Sequence, residues 1–311
     1  MLAGIMQEPK VSIVLMSYNQ PALLEKAFNS LINQTYSNIE IIIADDCSAD
    51  VGNRKFIEKV VADFPGKVKA VFQPEHAGIP KNKNAGFRLA TGDYITYLDG
   101  DDTYYENKIA SEIATFNNNP DAGVVYSNFD IKNMQDEVLF VWASQPPAQG
   151  YIFRNIVLHQ FPGCYTHRYE MFKKEVLYDL NFYDESFPVY EDLDMMIRYS
   201  MKYKVAYNNY VASSYHTNPS SVVSNTKGLD LLECQLNVYR KHFGEIKKRG
   251  LMKPFKKYYN NLTLNKLYYL EKPDIAILGK AFLHHPFRIV KFARILNFLI
   301  KKPKPINSIT F

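Results

Sequence analysis

Residues 93–105 read DYITYLDGDDTYY, an apolar strand that runs directly into three carboxylates, Asp99, Asp101 and Asp102. β-Branched and aromatic residues of this kind fill the interior of a sheet, where an unpartnered carboxylate is costly. A hard divalent cation, together with the polyanion such a cation carries, would satisfy the cluster. Asp99 and Asp101 are two residues apart, so an extended backbone puts them on one face. Gly100 lets the chain bend and come close to a ligand without a side-chain clash. The same acids could instead form a turn that caps a helix near Asn107.

The elements that must carry this cluster alternate. VSIVLM (Val11–Met16), IEIIIADD (Ile39–Asp46), VKAVFQ (Val68–Gln73) and DYITYLD are short apolar runs of the kind buried in a parallel sheet. Between them, amphipathic helices are expected from Pro21, over 53–64 and over 79–91. A βαβαβαβ order implies a parallel sheet with right-handed crossovers, and ligands bind such sheets at the carboxyl ends of the strands. Three of those ends are polar: Ser17-Tyr18-Asn19, Asp45-Asp46 and Asp99–Asp102. Further on, Val124–Ile131 and Glu137–Trp142 read as a strand pair. VYEDLDMMIRYSMKY (Val189–Tyr203) reads as a helix whose first turn holds Glu191, Asp192 and Asp194, acids favoured there by the helix dipole. From Gly228 the pattern is helical.

At 311 residues, with 47% apolar and 22% charged residues, the chain can bury one large core plus an appendage. Three cysteines without a CxxC pair suit reduced thiols in a cytoplasmic setting, and the first ten residues lack the pattern of a secretory signal. Residues 275–311 hold no Asp or Glu but seven Lys and Arg, so a total of +5 leaves the rest at −2. Positive charge confined to one end argues against a nucleic-acid partner.

No GxGxxG follows the first strand and no GxxxxGK[ST] exists, so a phosphate would be held by metal and basic side chains such as Lys83. Asp99-Gly100-Asp101-Asp102-Thr103 also fits DxDxT, the nucleophile motif of haloacid-dehalogenase-type phosphatases, with Asp99 as nucleophile and Asp101 as general acid. That motif usually opens its fold, whereas three βα units precede it here.

PKVSIVLMSYNQ, QTYSNIEIIIADDCSAD, ATGDYITYLDGDD and YEDLDMMIRYS, in that order, resemble the signature of family 2 inverting glycosyltransferases. The resemblance implies an α/β GT-A fold over residues 1–225, Rossmann-like, with a mostly parallel central sheet flanked by helices. A helical C-terminal region, 226–311, would follow. It implies transfer of a hexose or N-acetylhexosamine from a UDP-sugar to a hydroxyl of a saccharide acceptor, assisted by Mn²⁺ or Mg²⁺. Ser17, Tyr18 and Asn19 would flank the nucleobase, with Tyr18 stacking on it and Asp45 or Asp46 accepting the uracil N3–H. Lys83 would face the donor. Asp99 would lie near the ribose or sugar, Asp101 would ligate the metal, and Asp99 and His216 are further ligand candidates. Asp192 would be the catalytic base, with Glu191 holding an acceptor hydroxyl or orienting the loop. His167 and Arg168 fall in the region that shapes the acceptor pocket. A catalytically silent nucleotide-sugar-binding protein on the same fold is the other reading.

PFRIVKFARILNFLIKKP (Pro286–Pro303) places Arg288, Lys291, Arg294 and Lys301 opposite Ile289, Phe292, Ile295, Leu296 and Leu299 on a helix. It could pack on its own domain, or residues 284–304 could lie on anionic lipid. A polyprenyl-linked acceptor and a peripheral position on the inner face of the cell membrane would go with the second option.

Overall fold

The computed structural model describes residues 8–161 and 166–269. Two compact units divide at Ser220/Ser221, slightly before the expected boundary at 225/226. The first holds strands β1 (Val11–Ser17), β2 (Ile39–Asp45), β3 (Val68–Phe72) and β4 (Tyr94–Leu98), separated by helices α1 (Pro21–Ile32), α2 (Val51–Asp63) and α3 (Ile79–Leu89). Then come β5 (Thr103–Tyr104), α4 (Lys108–Asn118), β6 (Ala122–Lys132), β7 (Val138–Trp142) and α5 (Phe153–Val157). The unit closes with β8 (Met171–Lys173), α6 (Lys174–Asp179), α7 (Glu191–Lys202) and β9 (Lys204–His216).

All seven residues of β1 and of β2 are buried, which is why they read as unbroken apolar runs. α1 starts with proline at its first turn and buries Leu24, Ala27, Phe28 and Leu31, spaced to line one face. The Asp50 carboxylate caps α2, accepting from Gly52 N at 2.6 Å. β1 pairs in parallel with both β2 and β4, and β2 with β3.

The sheet runs β3-β2-β1-β4-β8-β6-β9-β5, with β7 paired to β6. β8 is antiparallel to β4 and β6, and β6 is parallel to β9, so β1–β4, β6 and β9 all point the same way. The chain leaves β1 toward β2 on one side and returns to β4 on the other. That reversal opens a crevice at the strand ends, where Ser17, Asp45 and Asp99 stand.

Inside the sheet, Glu40 of β2 is buried and satisfied by Ser12 Oγ (2.6 Å), Thr91 N (2.7 Å), Lys10 Nζ (2.9 Å) and Lys69 Nζ (3.0 Å). Burial would raise its pKa, but these partners outweigh it and hold the carboxylate well below its usual range.

The second unit contains α8 (Val222–Asn225), α9 (Gly228–Lys241), α10 (Phe243–Lys248) and α11 (Met252–Tyr269). Leu236, Tyr239, Ile246 and Phe255 are among its buried residues. No helix among the described residues is long and apolar enough to cross a membrane. The basic amphipathic segment at 284–304 lies outside the described residues.

Candidate active site

At the ends of β1 and β2, Asp45 is buried and engaged on both oxygens. It accepts from Ser17 Oγ (2.9 Å), Ser48 N (2.9 Å), Ser48 Oγ (2.7 Å) and Asn53 Nδ2 (3.1 Å). Asn19, at a left-handed φ of 51°, accepts from Asp50 N on its side-chain oxygen and donates its own backbone N–H to Ser48 Oγ. Ser17, Asn19 and Asp45 therefore tie the two strand ends together.

Asp46 is buried like Asp45, whereas Tyr18 faces outward. Asp46 accepts from Ala77 N (2.7 Å) and Gly78 N (2.9 Å), so it orders the loop leading into α3. Its Oδ2 is also 2.9 Å from His76 Nδ1. The His76 ring stacks on Tyr18, with centroids 4.5 Å apart and planes 28° from parallel. Tyr18 is 45% exposed, so this aromatic pair beside a carboxylate forms an accessible platform.

The loop after β4 is shaped by Gly100. A Cβ there would sit 2.4 Å from the Met16 carbonyl oxygen, so the glycine allows the loop to pack closely on β1. Tyr169, which the sequence reading did not single out, donates its hydroxyl to Asp102 and lies 3.2 Å from Asp99 Oδ2. Asp102 is buried and also accepts from the backbone N of His216 at 2.6 Å. Asp101 accepts from Asn218 Nδ2 at 2.9 Å. Burial, with Asp102 and then Asp99 nearby, pushes the Asp101 pKa up to about 7.

His216 does not join Asp101. Its Nε2 lies 2.9 Å from Asp136 Oδ1 and its Nδ1 3.6 Å from Asp102 Oδ1, so the ring is held between those two carboxylates. Its pKa is raised first by Asp102, against the opposing effect of burial.

At the start of α7, Tyr190 takes a left-handed φ of 62° and turns the chain into the acids. Their fates differ. Glu191 is buried and pairs with Lys83 Nζ at 3.0 Å. Lys83 is only 2% exposed, and its ammonium sits 4.2 Å from the Tyr97 ring and 4.7 Å from that of Tyr183. Lys83, expected to face a donor, is thus an interior cation, because Glu191 and the two rings offset its desolvation. Glu191 in turn accepts from Lys83 on Oε1. Asp194 bonds Arg198 Nε at 2.6 Å, and that guanidinium donates to the carbonyls of Leu180 and Phe182, which fixes the preceding loop. Asp192 is the half-exposed member of the three.

Burial would lower the Lys83 pKa, but Glu191 first, then Asp99 and Asp192, raise it above its ordinary value. His167, assigned above to acceptor binding, is fully buried. It shares a hydrogen bond with Tyr199, and burial lowers its pKa to about 3.

The profile of Glycosyl transferase family 2 matches residues 12–180, more than half of the chain. The chain belongs to that family. Among its relatives, an uncharacterized glycosyltransferase of Nostoc sp. is 32% identical over 149 residues, covering 48% of this chain and 45% of that protein. One from Haemophilus influenzae is 24% identical over 286 residues, 90% of each chain. The chain spans about half the length of several curated relatives it matches. In fold it is similar to S. aureus TarS 1-349 solved in complex with UDP-GlcNAc, with a TM-score of 0.57 at 17% identity, covering 74% of this chain and 65% of that one. That likeness establishes the GT-A-like architecture of this family 2 chain. The family match ends before Glu191 and Asp192, so their roles rest on the geometry of α7.

Sequence reasoning missed His76, Tyr169 and Asn218. His76 lies two residues before the positive-φ Gly78 that opens α3, a position a loop reading could have marked. Tyr169 and Asn218 carried no local signal, since each meets the acidic loop from far along the chain.

Proposed function

We propose that the chain is an inverting glycosyltransferase that takes its sugar from a nucleoside-diphosphate donor, a UDP-sugar, and passes it to a saccharide hydroxyl. The observation that carries this reading is the acidic loop of Asp99, Asp101 and Asp102, which stands at the carboxyl end of β4 beside the ends of β1 and β2 in the parallel sheet. Support for the donor class comes from the TarS structures, which contain UDP-GlcNAc in one case and UDP in another.

The nucleobase lies against Tyr18 and His76, and Asp46 offers its carboxylate to an N–H on the base edge. Asp101, with Asp99 beside it, would hold Mg²⁺ or Mn²⁺ when a diphosphate donor binds. No three His, Cys, Asp or Glu side chains form a metal-holding group among the described residues. A cation delivered on a diphosphate needs only one or two carboxylates, so the donor set suits this use. Such a cation neutralises charge that develops on the leaving diphosphate. Asp192, half-exposed at the first turn of α7, takes the proton of the acceptor hydroxyl as that oxygen attacks the anomeric carbon. Attack from the face opposite the diphosphate inverts the configuration. His216 steadies Asp102, and through its backbone N–H it ties β9 to the acidic loop. A lipid-linked acceptor and contact of residues 284–304 with membrane belong to the same proposal.

Calorimetric titration with UDP, with and without Mn²⁺, tests it. The wild-type protein should bind UDP more tightly with Mn²⁺, and Asp101→Ala should abolish that metal-dependent gain. Equal UDP affinity in both proteins with Mn²⁺ present would contradict the assignment of Asp101.

A further inference from the structure

Arg168 is half-buried, and its guanidinium lies 4.1 Å from the centroid of the Tyr215 ring. Two neighbours fix its place. Tyr169, next in the chain, bonds Asp99 and Asp102, while His216, next after Tyr215, donates its backbone N–H to Asp102. Arg168 therefore stands at the rim of the acidic loop.

Among the described residues no carboxylate comes within 4.0 Å of this guanidinium, and no hydrogen-bond acceptor engages it. A guanidinium presents five N–H donors in its plane, and stacking on a ring face leaves that edge available. No Arg168 nitrogen is among the fully buried side-chain atoms that lack a partner, so the fork stays open to an acceptor from outside the protein. The geometry of its fork matches the oxygens of a phosphate.

We propose that Arg168 is an oxyanion-binding residue of this site, taking non-bridging phosphate oxygens of a bound substrate on its free in-plane edge. This rests on the transferase reading above and deepens it. The phosphate has two sources, the diphosphate of the donor or a phosphate carried by the acceptor. Tyr215 acts as the platform that holds the fork in position.

The test uses the full chain with Mn²⁺, in wild-type, Arg168→Gln and Arg168→Lys forms. Each is titrated with uridine, with UDP, and with inorganic phosphate in the presence of saturating UDP. Losing a charge-assisted contact should weaken the affected ligand about 10- to 100-fold in Arg168→Gln, with a smaller loss in Arg168→Lys. Uridine binding should stay within about twofold, which also shows that the variants fold. Weaker UDP binding with unchanged uridine supports the proposal and names the donor as the source. Unchanged UDP binding with phosphate binding lost supports it and names the acceptor. Wild-type affinity for both UDP and phosphate in Arg168→Gln overturns the proposal alone, as does a parallel loss of uridine and UDP. Absence of any uridine or UDP binding to the wild type overturns the transferase reading together with it.

Discussion

Replacing Lys83 by methionine should cost this protein about 3–5 kcal/mol at pH 8, the range for removing one partner of a buried ion pair. Lys83 Nζ and Glu191 Oε1 are 3.0 Å apart, with side chains 2% and 9% exposed. At an effective dielectric near 20, unit charges at that separation attract by roughly 5 kcal/mol. Methionine keeps most of the volume against Tyr97 and Tyr183, so little of the loss comes from a cavity. What remains is Glu191, buried beside Asp192 and Asp99 with no counter-charge. Burial already raises its pKa, and Lys83 is the main influence pulling it back down. In the variant the neutral carboxyl is therefore favoured further. A group with a raised folded-state pKa contributes stability at low pH and loses it as pH climbs through that pKa. The Lys83→Met variant should accordingly be closer to wild type at pH 5 than at pH 8. Urea unfolding at the two pH values, with Glu191→Leu and the double variant to complete a cycle, measures this. The double variant should recover most of the loss. A penalty under about 1 kcal/mol at pH 8, or a double variant no better than the singles, would refute the buried-pair argument.

Glu170 offers a second pH test. It is buried, and burial is the main cause of a pKa raised from 4.5 to about 7, opposed by a backbone hydrogen bond. The folded state therefore holds a proton that the unfolded state releases, and stability should fall as pH rises from 4.5 to 7. Glu170→Gln removes that dependence and should gain up to about 3 kcal/mol on wild type at pH 8, with the advantage vanishing near pH 4.5, as followed by thermal melts. Gly100→Ala should destabilise by about 1–3 kcal/mol, because its Cβ would meet the Met16 carbonyl at 2.4 Å. Chemical unfolding that matched wild type would show that the loop can shift without cost.

The parallel core was legible because β1, β2 and β4 are apolar runs buried on both faces, and α1 shows its buried stripe at helical spacing. β9 was not recognised as a strand. Asn208, Ser213 and Ser214 give it a polar look, yet all three are buried, and Asn208 donates to Ser111 (2.9 Å) and Ser127 (3.0 Å). A buried polar strand is invisible to apolar patterning, since its partners are side chains from other elements. β8 spans just Met171–Lys173 and leaves little pattern to read. The strand ends were found, but their internal division of labour was not. Asp45 and Asp46 are adjacent and chemically identical. One is locked between Ser17, Ser48 and Asn53, and the other faces the loop of Ala77 and Gly78. Lys83 sits in a helix segment, IPKNKNAGF, that reads as solvated. Its burial depends on Glu191, 108 residues away.

The central claim is that Asp192 works as the base above a donor bound at the ends of β1, β2 and β4. It is tested most directly by Asp192→Asn, which keeps the size of the side chain and removes its basicity. Release of UDP from a panel of UDP-sugars with saccharide acceptors would be followed alongside UDP affinity in Mn²⁺. The account predicts turnover reduced about 10²- to 10⁴-fold with UDP affinity within about twofold of wild type. Turnover equal to wild type in Asp192→Asn, on a donor that the wild-type protein uses, would contradict it.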